Sequence, residues 1–134
     1  MSDTTNSTEN YKPMIYSINL ALRHAMEQYD TAVILGQDIA KAGGVFRATD
    51  NLLTSFGPDR VIDMPLSEAL IAGASVGMAV SGLRPIAEYQ FMGFSYTGLD
   101  QIINHASRFS SRTMGKKNCP VVFRMPFGNH IRAP

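Results

Sequence analysis

Four short runs of apolar and β-branched residues alternate with helix-forming segments along this chain. That alternation limits its fold more than any other feature. The first run, "AVIL" at 32–35, is apolar on both faces, as a strand inside a parallel sheet must be. "RVIDM" (60–64), "RPIAEY" (84–89) and "PVVFRM" (120–125) are further strands. Before the first, Ile15, Ile18, Leu22, Ala25, Met26 and Tyr29 keep helical spacing. Thr49 or Asp50 is placed to cap a short helix ending at Gly57. Ser67 is placed to cap a helix running to about Val80, with Gly82 ending it. The segment "GLDQIINHASRFSSR" (98–112) puts Leu99, Ile102, Ile103 and Ala106 on one helical face. Strands separated by helices imply an α/β fold, a parallel sheet flanked by helices. Ligands in such sheets sit beyond the carboxyl ends of the strands. Loops 36–44, 64–68 and 90–98 are therefore where chemistry is expected.

A chain of 134 residues makes one domain. Its polar start, residues 1–13, reads as a disordered lead-in, leaving 14–134 for the domain. A net charge of +1 argues against a broad nucleic-acid or anionic-membrane footprint. The apolar window 69–80 is interrupted by Gly73, Ser75 and Gly77 and is too short for a bilayer. The polar start has no apolar core of a secretory signal. Cys119 stands alone, so no internal disulfide forms; it is expected as buried packing. A cytoplasmic, reducing setting fits all of this.

Within the candidate loops, Glu68 follows the turn residue Pro65 and heads a helix. It is either an acid complementing the helix dipole or a working carboxyl group. Leu66, Ala69, Leu70 and Ile71 around it form a nearly uncharged wall. A carboxyl group in such a wall can share a proton with a ligand nitrogen. Gly73 and Gly77 lie on one face of the helix, suited to close packing on the sheet or a neighbour, or to a second subunit. Tyr89, Phe91, Phe94 and Tyr96 form either a core aromatic group or a stacking surface for a flat heterocycle, with Gln90 as a hydrogen-bond partner. "AKAGGVF" lacks the spacing of phosphate-binding loops. His24, His105 and His130 are scattered and show no metal-ligand spacing.

"GGVFRAT", "PLSE", "G-x-RP-x-AE-x-QF" and "DQI-x-N" occur in this order from residue 43 to residue 104. In them the chain resembles the beta subunit of the E1 component of pyruvate, branched-chain 2-oxo acid and acetoin dehydrogenases, over roughly residues 15–134. The resemblance implies a thiamine diphosphate-binding, transketolase-like pyrimidine fold, incomplete at the C-terminus. It implies a cofactor shared with an E1 alpha subunit, which holds the diphosphate through magnesium. Glu68 matches the glutamate that hydrogen-bonds the pyrimidine N1′ and favours the imino tautomer. Phe94 matches the aromatic residue packed on the pyrimidine, and Leu66 and Gln90 match positions lining that pocket. Val121 matches a position whose backbone carbonyl ligates a structural potassium ion in some members. His130 stands where the family has glycine, so it is not given the role of the histidine that family members carry further on. The implied partners are the alpha subunit, a second beta subunit, a lipoyl-bearing E2 and a small 2-oxo acid. The implied activity is oxidative decarboxylation with acyl transfer to lipoamide. The alternative is an interaction module or split fragment that binds an alpha-type subunit without turnover.

Overall fold

The computed structural model describes residues 12–128. One four-stranded, all-parallel sheet runs in the order β2–β1–β3–β4. The strands are β1 (Ala32–Gly36), β2 (Val61–Asp63), β3 (Arg84–Glu88) and β4 (Val122–Arg124). The α-helices are α1 (Met14–Gln28), α2 (Leu52–Phe56), α3 (Glu68–Val80) and α4 (Phe109–Arg112). Every residue of the central strand β1 is buried, which is why its sequence does not alternate. Its side chains feed two cores. Ile34 packs with Leu22 and Met26 of α1 and with Leu52. On the other face Leu35 packs with Ile71 and Ala72 of α3, and with Ala87 and Tyr89. The expected parallel sheet flanked by helices is the observed architecture. Residues 1–11 of the expected lead-in and residues 129–134, with His130, lie outside the described residues.

Local expectations fail where side chains find distant partners. Neither Thr49 nor Asp50 caps α2; Asn51 precedes it, in the left-handed region. The buried Thr49 hydroxyl instead donates to the Ile39 carbonyl at 2.6 Å. Ser67 holds the N-cap position of α3, but its hydroxyl makes no capping bond. Segment 98–112 is not one helix. A 3-10 segment (Met92–Gly98) leads through two α-helical residues, Leu99 and Asp100, into a π-helical stretch (Gln101–Ala106), and a short α-helix follows at Phe109–Arg112. The wider π turn, with Ser107 N–H donating to Ile102 O, breaks the expected one-sided face. Ile102 packs on the core, while Ile103 is 45% exposed. Gly73 and Gly77 do not face the sheet: Gly73 meets Gln101, and an added Cβ at Gly77 would touch nothing within 4 Å. Cys119 is half-buried rather than buried. Among the described residues no helix is long and apolar enough to cross a membrane.

Arg60, just before β2, joins α1 to the sheet. Its Nη2 donates to Met26 O and Tyr29 O, each at 2.8 Å, and its Nε donates to Ala32 O at 3.0 Å. A guanidinium here satisfies carbonyls left over at the end of α1 and complements its dipole. Arg60→Ala is expected to cost about 2–3 kcal/mol. The urea midpoint falls while the slope stays constant; an unchanged midpoint would count against the network.

Candidate functional site

The carboxyl ends of the strands form a row. Gly36 pairs with Asp63 on one side and with Glu88 on the other, and Glu88 pairs with Arg124. The chain leaves this row through loop 37–51, turn 64–67 and segment 89–98, so the three expected loops converge there.

Loop 37–51 is held from several directions. The Asp63 carboxylate accepts from Ala40 N–H at 2.7 Å. Asn19 of α1 donates to Ala48 O at 2.8 Å and to Asp50 O at 3.1 Å. Asp38, Arg47 and Asn51 all take positive φ, at 55°, 60° and 62°. Such conformations persist only where the surroundings impose them. Gln90 Nε2 donates to Asp38 Oδ2 at 3.2 Å and so ties this loop to segment 89–98. Gly44, at φ 81°, leaves room that a Cβ would take 3.2 Å from Glu88 Oε1.

Glu88 is 3% exposed and forms an ion pair with Arg124 across the β3–β4 edge. Burial pushes its carboxyl up from the ordinary value, and Arg124 pulls it partly back. On β1's end, Gln37 is 5% exposed, and neither its Nε2 nor its Oε1 has a partner among the described residues. A buried amide without partners is rare and calls for a ligand, a water or a neighbouring chain.

Glu68 opens α3 at this edge, half-buried, its main-chain carbonyl accepting from the Tyr89 hydroxyl at 3.3 Å. Leu66, in the turn before it, is 81% exposed. Phe94 stands edge-on to Phe91 with centroids 5.6 Å apart, and Phe91 edge-on to Phe46 at 5.8 Å. The aromatic cluster thus divides: Tyr89 is core, Phe91 and Phe94 form a row at the loops, and Tyr96 is 75% exposed. Glu68, Leu66, Gln90 and Phe94 all come to the carboxyl side of the sheet. Val121 does not: it precedes β4 at the amino side and lines a shallow cleft with Tyr29 and Arg84. Sequence reasoning missed Gln37 and the Glu88–Arg124 pair. The signal for both was a polar residue closing an apolar strand, at the edge where ligands sit.

Residues 12–134 match the family "Transketolase, pyrimidine binding domain". The chain belongs to that family. It is 44% identical over 121 residues to the "Pyruvate dehydrogenase E1 component subunit beta" of Leifsonia xyli subsp. xyli, covering 90% of this chain and 36% of that one. It is 42% identical over 126 residues to the "3-methyl-2-oxobutanoate dehydrogenase subunit beta" of Mycobacterium tuberculosis, covering 94% and 35%. It is 43% identical over 117 residues to the "2-oxoisovalerate dehydrogenase subunit beta" of Bacillus subtilis, covering 87% and 36%. The chain therefore spans little more than a third of the relatives it matches. At the carboxyl edge of the sheet the chain carries the half-buried Glu68 carboxyl group, an aromatic row ending in Phe94, and the Gln37 amide, which has no partner among the described residues. Those residue types suit a flat heterocycle rich in ring nitrogens. Among the described residues no group of three or more His, Cys, Asp or Glu side chains could hold a metal ion.

Proposed function

We propose that this chain supplies the aminopyrimidine-binding half of a thiamine diphosphate site in the E1 component of a 2-oxo acid dehydrogenase. An alpha-type subunit completes the site by holding the diphosphate and its magnesium ion. The observation that carries the reading is the position of Glu68, at the head of α3 on the ligand edge of a pyrimidine-binding domain. Thiamine diphosphate, when bound, supplies the electron sink for decarboxylation. The chain's own residues do the rest. The Glu68 carboxyl group hydrogen-bonds a ring nitrogen and shares a proton with it. The Phe94 ring packs against the heterocycle, and the row Phe46–Phe91–Phe94 keeps it upright. Gln90 restrains the Asp38 turn beside the pocket. Leu66 covers the mouth and excludes water once a subunit closes over it. A potassium ion on the Val121 carbonyl would brace the start of β4, away from the chemistry. The substrate is a small 2-oxo acid, and the acyl group passes to a lipoyl-bearing E2.

Reconstitution tests this. The chain is combined with an alpha subunit, a second beta copy carrying the remaining beta segment, thiamine diphosphate and magnesium, and decarboxylation of 2-oxo acids is measured. Turnover that depends on the chain supports the proposal. A second reading, association without turnover, draws on the exposed apolar side chains Leu66, Leu70 and Ile103 beside the site. It expects co-purification with the alpha subunit and no decarboxylation in any reconstitution.

A further inference from the structure

Tyr89 is a buried phenol that the proposed mechanism does not use. It is 1% exposed, and its ring lies parallel to that of Phe123, with centroids 6.2 Å apart. Its main-chain N–H donates to Arg124 O at 2.9 Å, so β4 holds it at both ring and backbone. Its hydroxyl leaves this packing to donate to the main-chain carbonyl of Glu68 at 3.3 Å. Burial first, and then the nearby Glu68 carboxylate, push the phenol up to about 12, which fits a charge and a hydroxyl held close together.

The hydroxyl also explains a glycine. Gly98 is absent from the positive-φ glycines, so its backbone does not require the residue type. Space does. A Cβ added at Gly98 would lie 2.4 Å from the Tyr89 hydroxyl and 3.0 Å from the Glu68 carbonyl oxygen. Any side chain there would displace the hydroxyl, the first turn of α3, or both.

We infer that Tyr89 and Gly98 are a matched pair that positions Glu68, the hydroxyl of one filling the space left by the other and pinning the turn that carries the carboxyl group. The inference rests on the role proposed for Glu68. Tyr89 and Gly98 are positioning residues, acting through the turn that carries Glu68.

The test measures thiamine diphosphate affinity in the reconstituted heteromer, together with amide exchange in the first turn of α3 in the chain itself. Tyr89→Phe loses one hydrogen bond, so dissociation constants rise about 5- to 10-fold and exchange quickens. Gly98→Ala shifts the turn, and affinity drops on the order of 10- to 100-fold. The double variant Tyr89→Phe/Gly98→Ala loses less than the two single losses combined, because removing the hydroxyl relieves the closest contact the methyl group would make. Tyr89→Phe added to Glu68→Gln weakens binding no further, since the group being positioned has been replaced. Additive losses in either double variant would overturn the inference, because a purely structural role adds. So would unchanged affinity and exchange in Tyr89→Phe while Glu68→Gln loses binding, and that result would leave the proposed function standing. Unchanged affinity in Glu68→Gln would overturn both.

Discussion

Glu68→Gln is expected to reduce decarboxylation by the reconstituted heteromer about 100- to 1000-fold, the range seen when one proton-transferring or charge-stabilising group is lost. The amide keeps the size and hydrogen-bonding reach of the carboxyl group but cannot share a proton with a ring nitrogen. Stability barely moves. Glu68 is a half-buried first-turn acid, and its favourable contact with the helix dipole is worth about 0.3–1 kcal/mol. The two readings of this residue therefore part cleanly. A helix-start acid predicts a small fall in the unfolding midpoint and full activity. A working carboxyl group predicts the reverse, and full activity in Glu68→Gln would remove it from the mechanism.

Arg124→Met is expected to give the largest stability change, with a pH dependence that identifies its cause. Burial already holds the Glu88 carboxyl above its ordinary value, and Arg124 is the group pulling it down. Without Arg124 the folded-state value rises further. A carboxyl group raised in the folded state favours folding below its unfolded value, and that advantage is lost as pH climbs through the folded value. The cost of the substitution is therefore smallest below the ordinary carboxyl value, where Glu88 is protonated in both states. It grows to about 3–5 kcal/mol at neutral pH, the range for an uncompensated buried charge. Urea unfolding across this pH range reads it directly. Adding Glu88→Gln should recover most of the loss at neutral pH. A loss equal at every pH would assign the effect to the packing of the arginine stem instead.

The placement of the candidate site residues was legible because strand, turn and helix follow local rules. An apolar run, a proline turn and then an acid before a small-residue helix place Glu68 at the ligand edge without any long-range information. The same rules failed for segment 98–112. Its apolar spacing suits an α-helix, yet the chain takes a π turn at Gln101–Ala106, where Gln101 meets Gly73 of α3. They failed again at Thr49, whose hydroxyl serves a carbonyl in the core rather than a helix end.

By itself, then, the sequence determined the α/β class, the parallel sheet and the edge on which Glu68, Leu66, Gln90 and Phe94 gather. These follow from short apolar runs alternating with segments of 3.6-residue spacing, both local features of the chain. Tertiary structure alone decided which groups act on one another. Gln90 meets Asp38 across 52 residues, Arg60 meets Met26 across 34, and Tyr89 meets Glu68 across 21. It also decided that Gln37 is buried with no partner among the described residues and that Glu88 shares its burial with Arg124. Hydrogen bonds and charges depend on distance in space, and a periodicity carries no record of that distance until the strands have paired.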